Sequence, residues 1–100
     1  DILSKFQGKT RDILSRVICK CITTLPFIEI VEICNCDLDA EFMEIFVEYL
    51  QEYYTLRGRD ARITILSLQS NPIIDKGMIE LCKLIRMNNK CLTTIKLQNN

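Results

Sequence analysis

The chain has 100 residues, 48% of them hydrophobic, and 13 basic side chains balance 13 acidic ones. That length allows one small domain with a moderate core; no apolar run approaches the roughly 18 residues of a membrane span, and the absence of histidine excludes histidine-based triads and metal sites. Residues 1–26 hold five bases against two acids, residues 27–60 nine acids against two bases, and residues 61–100 six bases against two acids, so an acidic middle interrupts any continuous basic face for nucleic acid.

The opening DILSKFQGKT lacks the basic-then-apolar pattern of a secretory leader, so a cytoplasmic protein is expected. Residues 10–23 place Ile13, Leu14, Val17, Ile18 and Cys21 at helical spacing, which predicts an amphipathic helix capped by Thr10 or Asp12 and ended before Pro26. Gly8 separates this helix from an apolar turn at Leu3 and Phe6, and residues 1–26 read as a helical flank. A strand follows at 27–34. Residues 39–54 are the clearest helix: Phe42, Ile45, Phe46, Tyr49, Leu50 and Tyr53 form one apolar stripe, with Glu41, Glu44, Glu48 and Glu52 on the solvated side. Asp39 is a good N-cap for it. The polar loop 55–62 around Gly58 leads to a strand at 63–69, and Asn71-Pro72 starts a turn. A helix at 75–87 turns Met78, Leu81, Cys82 and Ile85 inward, closes at Asn88-Asn89, and gives way to a third strand at 92–98.

The three strands share one frame. Ile63, Leu66 and Leu68 lead to Asn71; Leu92, Ile95 and Leu97 lead to Asn100, 29 residues on at every position. Ile28, Val31 and Ile33 lead to Cys36 in the same frame, 35 residues ahead of Asn71, and the loop 55–62 accounts for the longer step. A frame recurring in register is the signature of stacked repeats. Strands of one sheet separated by a crossover helix run parallel, so an α/β fold is expected. After each strand the chain turns inward, where an Asn side chain hydrogen-bonds backbone groups of the turn and a small Cys fits as a weaker substitute.

With NPIIDKGMIELCKLIRMNNKCLTTIKL between the frames, residues 63–100 resemble one repeat of a leucine-rich-repeat protein of the ribonuclease-inhibitor type. The step Asn71, Ile73, Gly77, the pair Leu81-Cys82 and the helix-ending Asn carry the resemblance, which extends over residues 27–100. Within that type the chain is similar to the C-terminal repeat domain of tropomodulin and leiomodin, whose helices end in Asn-Asn-like or Lys-x-Asn steps before a Leu-x-x-Leu-x-Leu strand. The resemblance implies an α/β solenoid with three parallel strands (27–34, 63–69, 92–98) and helices (10–23, 39–54, 75–87) on the convex side. It implies a single unit over 1–100 that belongs to a longer repeat domain. The function implied is protein–protein interaction, most concretely a tropomodulin-like regulator of actin filaments with actin or tropomyosin as partner. The other reading is a structural segment of a longer immune-receptor-type or inhibitor-type protein whose binding surface lies elsewhere.

Strands about 4.8 Å apart backed by helices roughly 10 Å apart bend such a stack, leaving the strands on the concave side. Residues between the frame positions face that side in columns: Glu29, Thr64 and Thr93; Glu32, Ser67 and Lys96; Cys34, Gln69 and Gln98; Asn35, Ser70 and Asn99. The candidate partner contacts are Glu29, Glu32, Thr64, Ser67, Gln69, Thr93, Lys96 and Gln98, a polar, short-chained set of mixed sign that suits a protein surface. No enzyme chemistry is expected. Cys19-x-Cys21 and Cys34-x-Cys36 depart from the Cys-x-x-Cys spacing of zinc sites, and Gly8, Gly58 and Gly77 are isolated, so no phosphate loop is formed. The six cysteines sit in long periodic segments rather than in the loops of a disulfide scaffold, and are expected to be reduced. The last strand ends at Asn100 without a covering unit; a fragment of a longer solenoid, or a homodimer through the open strand end, is expected.

Overall fold

A computed structural model describes residues 5–87 and 90–100. Its elements alternate as helix α1 (Gly8–Thr24), strand β1 (Ile30–Glu32), helix α2 (Ala40–Arg57), strand β2 (Ile65–Ser67), helix α3 (Ile74–Arg86) and strand β3 (Thr94–Lys96). The strands form one open parallel sheet in the order β1-β2-β3. Ile30, Ile65 and Thr94 lie in register, as do Val31, Leu66 and Ile95, and Glu32, Ser67 and Lys96. The helices form a second row, α2 packing against α1 on one side and α3 on the other. The fold is thus mixed α/β, with three parallel strands and three α-helices among the described residues. Among the described residues no helix is long and apolar enough to cross a membrane.

Each strand is three residues long, shorter than the spans 27–34, 63–69 and 92–98 read from the sequence. The chain leaves extended geometry just beyond each ladder, at Asn35 (φ 54°), Ser70 (φ 60°) and Asn99 (φ 61°). Asn and Ser tolerate this left-handed region better than branched residues do. Backbone hydrogen bonds persist past the strand ends, Ile33 N–H to Ser67 C=O at 2.9 Å and Leu68 N–H to Lys96 C=O at 2.9 Å.

Helix α2 is the centre of the core. Asp39 caps it, its carboxylate accepting the Phe42 N–H at 2.9 Å. The stripe Phe42, Ile45, Phe46, Leu50 and Tyr53 is buried, with Tyr49 half-buried. Met43, Val47 and Tyr54 are buried as well, because neighbours on both flanks cover more of the helix than a single stripe. The sequence places the helix end at 54, but it runs on to Arg57. There the Arg57 guanidinium donates to Thr23 C=O and Thr24 C=O at 3.1 Å each and lies over the Tyr53 ring. These contacts hold the last turn against the end of α1, and the loop shrinks to a single 3₁₀ turn at Gly58–Asp60.

The two outer helices are turned differently from the sequence reading. Helix α1 starts at Gly8, with Gln7 rather than Thr10 or Asp12 at the cap position; Asp12 is instead paired with Arg16 at 3.2 Å. Small residues, Ser15 and Cys19, form its buried face against α2, leaving Leu14 and Ile18 half-buried and Ile13, Val17 and Cys21 exposed. Arg11 fixes this placement by donating to Asp37 C=O at 2.7 Å and pairing with Asp39 at 3.4 Å. Helix α3 buries Gly77, Leu81 and Leu84. Gly77 sits close against α2: a Cβ there would lie 3.5 Å from Ala40 Cα and 3.4 Å from Met43 Cγ, and would run into Ile73 Cγ2. This contact rotates Met78 to a half-buried position and leaves Cys82 and Ile85 exposed, contrary to the inward set read from spacing. Of the apolar turn at Leu3 and Phe6, Phe6 is exposed and Leu3 lies outside the described residues; so does the Asn88-Asn89 closure, while Met87 caps α3.

Candidate functional site on the open face of the sheet

Buried Val31 and Leu66 join the core cluster with the α2 side chains, so the helices cover that face of the sheet. Side chains that alternate with Val31 and Leu66 point to the opposite, open face. Three of the columns read from the sequence align across the strands, the Glu32 and Gln69 columns with this alternation and the Glu29 column just ahead of the strand starts. Glu29 C=O accepts the Thr64 N–H at 2.8 Å, and Thr64 C=O accepts the Thr93 N–H at 2.9 Å, which places the first column side by side. Glu32, Ser67 and Lys96 pair directly in the sheet register. The Gln69 and Gln98 amides hydrogen-bond to each other, and the Cys34 thiol reaches the Gln69 side-chain oxygen at 3.8 Å.

Glu29, Glu32, Thr93, Lys96 and Gln98 are exposed, and Thr64 and Gln69 are half-buried. Ser67 departs from the expectation of a contact residue: it is 5% exposed. It lies on the middle strand between two long charged neighbours and against the Cys34 thiol at 3.6 Å, so it forms the floor. Acidic side chains occupy the β1 side of this face and Lys96 the β3 side, giving a polarised surface.

A column absent from the sequence reading completes the site. Ile30, Ile65 and Thr94 share one register line and lie between the Glu29 and Glu32 columns. Ile30 is 52% exposed and Ile65 is half-buried. The period-2 alternation about Val31 and Leu66 was the available signal, masked because isoleucine at a strand position reads as core.

Asn71 holds the strand ends together beneath this face. Its side-chain oxygen accepts the Cys36 N–H at 2.9 Å and the Leu38 N–H at 3.1 Å, and its amide donates to Ile33 C=O at 2.7 Å and Leu68 C=O at 3.0 Å. Asn100 repeats the step one strand later, its side-chain oxygen accepting the Asn71 N–H at 2.8 Å. The asparagine therefore bridges to the preceding turn as well as closing its own. At the first such position, the Cys36 thiol donates to Cys34 C=O at 3.2 Å.

None of the six cysteines forms a disulfide. Burial pushes the Cys19 thiol up to about 12 and also raises Cys91, whose thiol donates to Ala61 C=O and Ile63 C=O at 3.4 and 3.3 Å. Held protonated, both are poor nucleophiles. Among the described residues no group of three or more Cys, Asp or Glu side chains is placed to hold a metal ion. Comparison of the chain with protein-family models, curated proteins and solved structures finds no match.

Proposed function

We propose that this chain is a protein-interaction module of leucine-rich-repeat type, part of a solenoid, that binds its partner through the open face of the sheet. The observation that carries the reading is exposed Ile30 beside half-buried Ile65, set among Glu29, Glu32, Thr93, Lys96 and Gln98 on three hydrogen-bonded strands. A small apolar centre within a polar rim is the anatomy of protein interfaces. A rigid sheet presents it without loop-ordering cost. The recurring register and the Asn71–Asn100 step support the repeat reading, since both strand and turn recur at the same offset. The resemblance to the tropomodulin repeat domain makes an actin-filament regulator the most concrete version, and actin and tropomyosin the first partners to test.

The test is titration of actin and of tropomyosin with the wild-type chain and with a variant carrying Glu32→Lys and Lys96→Glu together. The double exchange keeps the net charge and reverses the polarity of the face. Binding by the wild type and loss in the variant, at unchanged helical content, is the expected result. Binding that the exchange leaves untouched would remove this face as the contact, and no binding to either protein would remove the actin-filament version.

A further inference from the structure

The open face is not level. Its middle line, Glu32, Ser67 and Lys96, runs straight across the three strands in register, with the shortest side chain at the centre. Ile65 and Gln69 flank Ser67 along its own segment on the same face, and Glu32 and Lys96 flank it across the ladder. The hydrogen-bonded Gln69 and Gln98 amides bound one side of this line, and Ile30, Ile65 and Thr94 bound the other. The result is a trough across the strands, lowest in the middle, with an acid at one end and a base at the other. Its low point lies on β2, which has a strand on each side, so further repeats would leave its surroundings as they are.

The two end charges are available to a partner. Glu32 and Lys96 are both exposed, and among the described residues neither takes part in an ion pair. They stand two strand spacings apart, about 10 Å, too far to pair with each other. In an α-helix, residues i and i+7 lie on one face about 10.5 Å apart along the axis, and i+3 and i+4 fall between them on that face. An extended segment has no such step, because its same-face residues are about 6.6 or 13 Å apart. A helix also satisfies its own backbone, so it can cross a sheet face without stranding N–H or C=O groups.

We infer that the partner engages this face with an amphipathic helix laid across the strands, an inference that rests on the proposed reading of the face as an interface. A Lys or Arg at i lies over Glu32 and an Asp or Glu at i+7 over Lys96. Aliphatic side chains at i+3 and i+4 sit above Ser67 and against Ile65. Charge complementarity at both ends of the trough selects this occupant, and the aliphatic contact between them is the desolvated centre.

The experiment is nuclear magnetic resonance titration of the ¹⁵N-labelled chain with an alanine-rich helical peptide of about 20 residues carrying Lys, Leu, Leu and Glu at i, i+3, i+4 and i+7. Saturable shifts are expected at the Glu32, Ile65, Ser67 and Lys96 amides. Moving the glutamate to i+5, on the far side of the helix, is expected to weaken binding, as is replacing both leucines with alanine. A proline between the leucines and the glutamate, which breaks the helix, is expected to weaken it further. Lys96→Glu, at an exposed position, is expected to weaken binding roughly five- to tenfold, and a peptide with Lys in place of its Glu restores it. No shift with the helical peptide would overturn the inference, as would shifts that gather elsewhere, undiminished binding of the proline-broken peptide, or a Lys96→Glu chain that binds like the wild type. The two readings fail separately: loss of actin or tropomyosin binding on the double exchange, with no response to the helical peptide, would keep the face and overturn the helix.

Discussion

Replacing Asn71 with alanine tests whether one side chain fastens the sheet. The asparagine is buried, its oxygen takes two backbone N–H groups and its amide reaches carbonyls in two successive turns. Alanine leaves the Cys36 and Leu38 N–H groups without that acceptor, and a buried donor so stranded costs about 1–3 kcal/mol. The loss sums to about 4 kcal/mol, a large share of the roughly 5–15 kcal/mol typical of a small domain. In thermal melting that is a fall of at least about 15 °C. The assay is urea unfolding followed by circular dichroism, with the midpoint lowered and the slope unchanged. Asn100→Ala is the internal comparison, because it removes one contact at an exposed position and costs about 1 kcal/mol. Asn71→Asp keeps both acceptors but turns a carboxylate toward Ile33 and Leu68 carbonyls; it is expected to fall between the two at neutral pH. An Asn71→Ala cost no larger than that of Asn100→Ala would refute the reasoning.

Gly77→Ala is expected to lower the melting temperature: its methyl meets buried Ile73, and overpacking of about 1–3 kcal/mol outweighs a helix-propensity gain of about 1 kcal/mol. An unchanged or raised melting temperature would mean that α3 moves away at little cost. Tyr53→Phe is expected to destabilise more than Tyr54→Phe in urea titrations. The Tyr53 hydroxyl accepts both Arg62 N–H and Ile63 N–H, whereas Tyr54 donates to Ile63 C=O, which also receives the Cys91 thiol. Equal losses would contradict this ordering. Burial raises the Cys19 thiol from 9.0 to about 12 and raises the Tyr54 phenol as well. A raised folded value leaves the stability contribution complete below the unfolded value and removes it as pH climbs. Stability is thus expected to fall above about pH 9 through Cys19, by about 1.4 kcal/mol per pH unit, and more steeply above about pH 10, where Tyr54 joins it; Cys19→Ala should flatten the first part of that limb in denaturant titrations at stepped pH.

Much of the architecture was legible because strand and turn recur with the same residues. Ile63, Leu66 and Leu68 before Asn71, repeated at Leu92 to Asn100, placed strands β2 and β3 and their register, and Asp39 before a strong stripe placed α2. The outer helices were legible as helices but not in orientation. Spacing finds an apolar stripe on α1 and α3, yet small residues decide which face approaches α2: Ser15 and Cys19 on one helix, Gly77 on the other. Periodicity gives such residues little weight, although they permit the closest approach. At the site, the polar columns were legible from the frame, while Ile30 and Ile65 were hidden because strand isoleucine reads as core. The burial of Ser67 depends on the long side chains beside it, which spacing along one strand does not reveal.

The unequal steps between strands say where this chain can change length. Asn71 follows Cys36 by 35 residues and precedes Asn100 by 29, yet both steps keep the same register and the same asparagine bond pattern. The extra residues are taken up where α2 runs to 18 residues against 13 for α3, and in the 3₁₀ turn that follows. Arg57 ties that extension to α1, at a distance from the ladder. Insertions at the 58–60 corner are therefore expected to leave strand pairing intact, and a substrate-like tag or a second folded unit grafted there would ride on the helical side without disturbing the open face. A single inserted residue between Ile65 and Asn71 would have no such outlet, since it would exchange the faces of every following strand residue.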